Sequence, residues 1–188
     1  MRNKKMQQIL ENMPEIETVS SRDVPDIGLY MDQVTTFIED RLRDYRRADG
    51  DKILTKTMIN NYTKDKILPP PVKKKYSKNH VLLLILIYHL KNCITISDIS
   101  ALLSPLMDEK RSDQIEIKHF YDAFEKIQRT QKEKFSQDFE AIDTLVDGLN
   151  EDFSETEKNM LTAIALINEA NERKFAAEKI IDKILKKS

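Results

Sequence analysis

The sequence predicts an all-α protein, and three observations support this fold class. Apolar residues recur at spacings of three and four along most of the chain, which is typical of amphipathic helices. Only 3 glycines occur in 188 residues, and glycine supplies the backbone conformations that tight hairpins need. Hydrophobic residues make up 40% of the chain and charged residues 34%, so the chain is apolar enough to form a packed core.

In the first part of the chain, the sequence pattern predicts helices that are interrupted by one extended segment. A short helix is expected over residues 1–13, and a longer amphipathic helix over residues 29–45. Thr55 is a suitable N-cap for the next helix, "KTMINNYTKDK", because its hydroxyl can accept a hydrogen bond from a free backbone N–H. The prolines of "PPPVKKKY", residues 69–76, cannot continue that helix. This segment is therefore expected to project as a stiff strand or loop.

In the second part of the chain, the spacing of apolar residues predicts mostly longer helices. The run "KNHVLLLILIYHLKN" is apolar almost all round, so it is expected to be a central, buried helix. A short helix follows from near Ser97 and ends at Pro105. Helical spacing then continues to Gly148, and Ser154 with Glu157 forms a capping box that starts a last helix. Two long helices joined by a short loop predict an antiparallel helical hairpin.

Positive charge is concentrated in one window of the sequence. The whole chain has a net charge of −1, yet residues 51–80 contain 8 lysines and 2 aspartates, an excess of +6. This window includes the extended segment 69–76 and the helix before it. Localised basic charge is the electrostatic signature expected of a nucleic-acid-binding surface.

Two helices followed by an extended basic segment suit a winged helix-turn-helix that binds double-stranded DNA. Asparagine amides pair with adenine in the major groove, and lysines bind phosphates as point charges. In an extended chain, Lys73 and Lys75 would share one side and Lys74 would face away. Tyr62 and Tyr76 could instead pack in the core with their hydroxyls at its rim. Asn60 and Asn61 could instead cap or solvate the end of the helix. The candidate DNA-binding residues are Lys56, Thr57, Asn60, Asn61, Tyr62, Lys64, Lys73, Lys74, Lys75 and Tyr76.

The same residues carry a family resemblance. The stretch "TKTMINNYTKDKILPPPVKKKYSKNHVLLLILIYHLKNCITISDISALL" resembles the DNA-binding domain of MerR-type transcription regulators. The stretches "LYMDQV", "TKTMINNYTK", "PPPVKKKYS" and "ISDIS" are still more similar to a bacterial family known only as a domain of unknown function, over roughly residues 20–107. The resemblance implies a MerR-like winged helix-turn-helix and a role in transcription regulation. Lys66 stands where the MerR pattern has a glycine.

These patterns divide the chain into three predicted regions. Residues 1–19 form an N-terminal extension, residues 20–107 the DNA-binding domain, and residues 112–188 a helical region for dimerisation or for an effector that is not identified. We expect a homodimer, because a symmetric pair of domains reads a palindromic site. The alternative is a helical adaptor whose basic patch docks an acidic protein.

The sequence offers little for catalysis, a cofactor or a membrane. His89 and Cys93 share a helix face and have the spacing of metal ligands or of a nucleophile with its base, but a third ligand or an orienting group is missing nearby. Both are expected to be core or rim residues, and the protein is expected to be neither an enzyme nor a metal or cofactor binder. The longest apolar run, residues 81–88, is too short to span a bilayer. A lone cysteine fits a reducing interior, so a cytoplasmic location is predicted.

Overall fold

The computed structural model of the protein describes residues 18–46, 48, 50–107, 116–149 and 152–185. Within these ranges the chain forms six α-helices and a small antiparallel sheet of two strands, so the mostly helical class is confirmed. The elements are β1 (Leu29–Tyr30), α1 (Met31–Leu42), α2 (Lys56–Lys64), β2 (Lys75–Tyr76), α3 (Lys78–Leu90), α4 (Ile96–Met107), α5 (Ile117–Asp147) and α6 (Glu155–Leu185). The helix predicted for residues 1–13 lies outside the described residues.

Helix α3 forms the centre of the hydrophobic core. Every residue from Val81 to Tyr88 is buried, on all sides of the helix. Helices α1 and α5 and strand β2 all pack against it. A short helix that is apolar around its whole circumference is stable only when other elements cover each side, and here they do. Nevertheless, no helix in the described ranges is both long enough and apolar enough to cross a membrane.

The helix predicted over residues 29–45 is shorter in the structure. Its first two residues form β1, and α1 begins only where the backbone N–H of Tyr30 donates to Gln33 Oε1 at 2.9 Å. The helix ends at Leu42, and Arg43–Tyr45 form a single 3-10 turn. Pairing with a strand some 45 residues away overrides the local helical spacing of residues 29 and 30.

Helix α2 begins as predicted and ends two residues early. Thr55 Oγ1 accepts a hydrogen bond from the Met58 N–H at 3.1 Å, which confirms the predicted N-cap. At the other end the N–H of Ile67 donates to the Tyr62 carbonyl at 2.8 Å, and the N–H of Lys66 donates to the Thr63 carbonyl at 3.2 Å. This pair of bonds is a Schellman motif, and it requires a left-handed residue just after the helix. Lys66 is that residue, with a φ of 59°.

Helix α4 continues past Pro105, which was predicted to end it. The proline has no N–H to donate to the carbonyl of Ala101, one turn earlier in the helix. The hydroxyl of Ser104 donates to that carbonyl instead, at 3.0 Å. The helix therefore keeps its acceptor satisfied and runs on to Met107.

The last two helices form the predicted hairpin, and the first of them also belongs to the core. The Ser154 N–H donates to Glu157 Oε2 at 2.8 Å, which confirms the predicted capping box at the start of α6. Helix α6 packs against α5 and α4. Tyr121 of α5 is fully buried, and its hydroxyl donates to the Val19 carbonyl at 2.8 Å. The sequence predicted a boundary between residues 107 and 112, whereas the core of the N-terminal part includes this tyrosine.

Candidate nucleic-acid interface

The outward face of α2 is polar and accessible. Ile59 and Tyr62 point into the core, with 0% and 6% of their surface exposed. The side chains on the opposite face lie at helical spacing and are all exposed: Lys56, Thr57, Asn60, Asn61 and Lys64. The short helix thus presents two amides, a hydroxyl and two ammonium groups to the surroundings on one face.

Both tyrosines predicted at the interface are buried. Tyr62 is 6% exposed and Tyr76 is 3% exposed, and burial raises the pKa of both hydroxyls. The rings belong to the hydrophobic core together with α3. Of the two roles considered from the sequence, packing is the one that this burial favours.

The segment after the prolines is a tight hairpin and not a simple extended chain. Val72 and Lys75 exchange two backbone hydrogen bonds, at 3.1 and 2.9 Å. Lys73 and Lys74 are the two residues between them, with φ values of 50° and 64°. Two consecutive positive φ values are typical of the type I′ turn that joins hairpin strands. The predicted alternation of Lys73, Lys74 and Lys75 along a strand is therefore wrong, because the first two form the tip of the turn.

Lysine is an unusual residue for this turn. A side chain at positive φ brings its Cβ close to the backbone, and asparagine or glycine is the usual choice at both positions. Such residues cost of order 1 kcal/mol each and tend to cluster at functional sites. In the described residues all three non-glycine positions with positive φ are lysines, namely Lys66, Lys73 and Lys74. Each places an exposed charge where glycine would relieve the backbone.

The hairpin is anchored to the beginning of α1. Strand β2 pairs with β1 so that Tyr30 lies opposite Lys75 and Leu29 opposite Tyr76. The Lys75 ammonium lies 5.4 Å from the centre of the Tyr30 ring, which is a cation–π contact. Gly28 permits this arrangement, because a Cβ there would lie 3.1 Å from the Lys75 Cβ.

The same short segment also holds the start of α2. Lys56, the first residue of that helix, forms an ion pair with Asp32, two residues after Tyr30. Since Tyr30 contacts Lys75 and Asp32 contacts Lys56, the root of the hairpin and the start of α2 lie against one three-residue stretch. The structure thereby ties the beginning of α2 and the root of the hairpin to the same short segment.

The lysines of this surface are not equivalent. Lys56 is paired with a carboxylate, and Lys75 lies over an aromatic ring. No ion pair joins Lys64, Lys73 or Lys74 to another residue of the described ranges, and all three are exposed. Their charges remain available for an anionic partner, which makes them the strongest candidates for phosphate contacts.

His80 packs against the base of the hairpin, a role that was not predicted from the sequence. It is buried, its ring packs edge-on against Tyr76 with ring centres 5.6 Å apart, and its Nδ1 accepts from the Ser77 N–H at 3.1 Å. Burial lowers the pKa of the imidazole, which favours the neutral ring. A Ser-x-x-His sequence at a helix start was the available signal, since histidine at this position can act like the glutamate of a capping box.

His89 and Cys93 lie apart from this surface. His89 packs among the rings of Tyr45, Tyr88 and Phe124, at centre distances of 5.1, 5.7 and 5.5 Å. Cys93 is exposed. Histidine, cysteine and acidic side chains form no cluster of metal-binding size within the part of the chain that the structure describes.

The fold and this surface define a small helical protein with a basic, hairpin-bearing face. The chain belongs to the family described as Domain of unknown function (DUF1836), whose model matches residues 19–124. This match confirms the resemblance to a domain-of-unknown-function family, and it extends past the predicted domain end at residue 107 into α5. Comparisons with curated proteins and with solved structures gave no match.

Proposed function

We propose that this protein is a cytoplasmic DNA-binding transcription regulator with a MerR-like winged helix-turn-helix. In this proposal α2 enters the major groove, and the hairpin of residues 69–76 lies on the neighbouring phosphate backbone as a wing. The observation that carries the proposal is the common anchoring of both parts. Lys56 contacts Asp32 while Lys75 contacts Tyr30, so the start of the amide-bearing helix and the root of the lysine-tipped hairpin adjoin the same short segment.

The chemistry of the two parts supports different roles. Asn60 and Asn61 are exposed on α2, and an asparagine amide can donate to and accept from adenine in a bidentate pair. Lys73 and Lys74 carry point charges without directional preference, which suits phosphate contacts that position the protein without reading sequence. The asparagines are therefore proposed as base readers and the turn lysines as backbone contacts.

Selection from random duplex DNA, followed by binding measurements over a range of salt concentrations, tests the proposal. We expect an enriched motif and an affinity that falls steeply with salt, because each phosphate contact releases counterions. The double substitution Lys73→Gln/Lys74→Gln should weaken binding to all sequences alike and should flatten the slope of log K against log salt by about 0.9 per lost contact. Substitution of Asn60 or Asn61 by alanine should instead change the preferred sequence.

The matched control is Lys132→Gln/Lys134→Gln, which removes the same charge from exposed positions of α5. It should leave the salt slope unchanged, because these lysines are outside the proposed interface. The absence of an enriched motif together with a flat salt response would contradict DNA binding. Equal effects of the asparagine and lysine variants would contradict the proposed division between base reading and backbone contact.

We further propose that the protein acts as a homodimer through the α5–α6 hairpin. Helix α6 has an apolar face that the described residues leave uncovered, with Met160, Ile164 and Ile167 exposed by 57%, 59% and 61%. The spacing of these residues is helical, so they form one stripe. Burying such a stripe against a second copy would remove apolar surface from water, at roughly 25 cal/mol per Å².

Light scattering or sedimentation of the purified protein tests the dimer. We expect a dimer for the natural sequence, and a shift to monomer for Ile164→Glu/Ile167→Glu with an unchanged circular dichroism spectrum. A natural sequence that is monomeric at all concentrations and copurifies with an acidic protein after nuclease treatment would favour the alternative function, a helical adaptor.

A further inference from the structure

A polar cavity on another part of the molecule has the properties of an anion-binding site. Its volume is about 270 Å³. It lies between the 3-10 turn after α1, the loop that leads to α2, and the residues that follow α3. None of the lysines or asparagines proposed to contact DNA lines this cavity.

The charges that line the cavity are mainly positive. Arg46, Lys52 and Lys91 contribute three cations, whereas Asp51 contributes one carboxylate. Asp51 already accepts a hydrogen bond from the Ala48 N–H, at 3.2 Å. Glu39 pairs with Arg46 and offsets part of its charge. A net positive lining remains after both acids are counted, so the cavity favours an anion over a cation.

One of the cations, Lys91, has donors to spare. The Lys91 ammonium donates one hydrogen bond to the Ile53 carbonyl and lies 4.9 Å from the centre of the Tyr88 ring. An ammonium has three N–H donors, so this lysine can also donate to a ligand. Arg46 also lines the cavity, with its guanidinium paired to Glu39.

The cavity also offers aromatic surface. Tyr45 and Tyr88 line it, and their rings pack edge to face with centres 5.8 Å apart. Ligand pockets usually span about 300–1,000 Å³, so this one suits a molecule of only a few heavy atoms beyond its charged group. The accessible lining is mainly polar, so the charged group of a ligand would make most of the contacts.

We propose that this cavity binds a small organic anion, through a carboxylate or phosphate group held by Lys91, Arg46 and Lys52. The two chemistries share the same need, which is an oxygen acceptor with negative charge at the end of a small molecule. The proposal does not depend on DNA binding, because its site and its ligand are separate from the α2 surface.

Titration of the ¹⁵N-labelled full chain, followed by two-dimensional NMR, tests the site. Inorganic phosphate and succinate are added separately, with sodium chloride adjusted to hold the ionic strength constant. We expect saturable amide shifts confined to residues 45–53 and 88–92 with at least one of the two anions. Saturation by phosphate alone assigns a phosphate ligand, and saturation by succinate alone assigns a carboxylate ligand.

Three variants locate the binding. Lys52 is exposed, so Lys52→Gln should weaken anion binding about threefold. The ammonium of Lys91 is partly buried, so Lys91→Met should weaken anion binding about tenfold. Lys134→Gln on α5 does not line the cavity and should leave the affinity unchanged. Because Lys91 also holds the Ile53 carbonyl, the Lys52 variant keeps the test valid if the Lys91 variant fails to fold.

Two results would overturn the proposal. The first is the absence of saturable shifts with both anions, or shifts that the Lys52 variant leaves unaltered. The second is a protein that binds neither anion but loses affinity for DNA when Lys52 or Lys91 is replaced. That result would show that these lysines contact the DNA backbone.

Discussion

Helices α3 and α6 are stabilised in different ways. Helix α3 has 13 residues, and its central stretch from Val81 to Tyr88 is wholly buried. Helix α6 has 31 residues, of which only Thr162 and Ile181 are buried. The short helix depends on neighbours that cover it on every side, whereas the long one is supported by its own length, its capping box and its contacts with α4 and α5.

Helix α6 also carries ion pairs between its own exposed side chains. Arg173 pairs with Glu169 at 3.6 Å and Lys174 with Glu178 at 3.8 Å, each across one helical turn. Exposed pairs of this kind contribute only about 0.3–0.5 kcal/mol each. Helix α6 therefore has modest local support and a large uncovered apolar face, and this combination is what leads us to expect a second chain there.

The largest expected effect is at the centre of α3. Leu84 is fully buried, so Leu84→Ala should lower the free energy of unfolding by about 2–5 kcal/mol through lost burial and a cavity. Ile167→Ala on α6, where the side chain is 61% exposed, should cost less than about 0.5 kcal/mol in the protomer. Chemical denaturation of both variants measures the comparison. Equal costs at low protein concentration would contradict it, and a cost at Ile167 that grows with concentration would indicate that another copy covers α6.

The next effect concerns pH and His89. Burial lowers the pKa of His89 to about 4, below its ordinary value near 6.5. The unfolded chain then binds a proton that the folded chain does not, so stability is full above pH 6.5 and is lost as the pH falls towards 4. His80 shifts in the same direction. Between pH 7 and pH 4.5, His89 should account for a loss of about 2 kcal/mol.

Unfolding curves of the natural protein and of His89→Phe over this pH range test the assignment. Phenylalanine keeps a ring among Tyr45, Tyr88 and Phe124 but does not titrate. The variant should therefore lose much less stability on acidification. An identical pH dependence in both proteins would show that His89 is protonated as easily in the folded state as in the unfolded state.

The smallest expected effect is at the end of α2. Lys66→Gly should raise the free energy of unfolding by up to about 1 kcal/mol, because glycine adopts a φ of 59° without the steric cost that lysine pays. The control is Lys64→Gly, the same change two residues earlier within the helix, where glycine should cost up to about 1 kcal/mol. Thermal unfolding of the pair should show shifts of opposite sign. A loss of stability in both variants would mean that Lys66 makes a stabilising contact that outweighs its backbone strain.

Features that depend on a few neighbouring residues were predictable from the sequence. The Thr55 N-cap and the Ser154–Glu157 capping box each involve residues three positions apart, and both are present. The exposed polar face of α2 was predictable as well, because Ile59 and Tyr62 define the buried side by helical spacing alone.

Features that depend on distant segments were not predictable in the same way. Strand β1 exists because Leu29 pairs with Tyr76, far along the chain. The turn at Lys73 and Lys74 contradicts the local preference for glycine or asparagine, since the pairing of β1 with β2 and of Val72 with Lys75 determines where the chain must reverse. The cavity combines residues from 45–53 with residues from 88–92, which no local pattern relates.

The sequence by itself determined that the protein is mostly helical, where most helices begin, and where its positive charge is concentrated. These properties follow from helical periodicity, capping and composition, which act over a few residues. Only the tertiary structure decided that Lys56 and Lys75 meet the same short segment, that Tyr76 is buried, and that the described residues leave a face of α6 uncovered. The physical reason is that burial and long-range pairing depend on which segments become neighbours, and those contacts can override local preference.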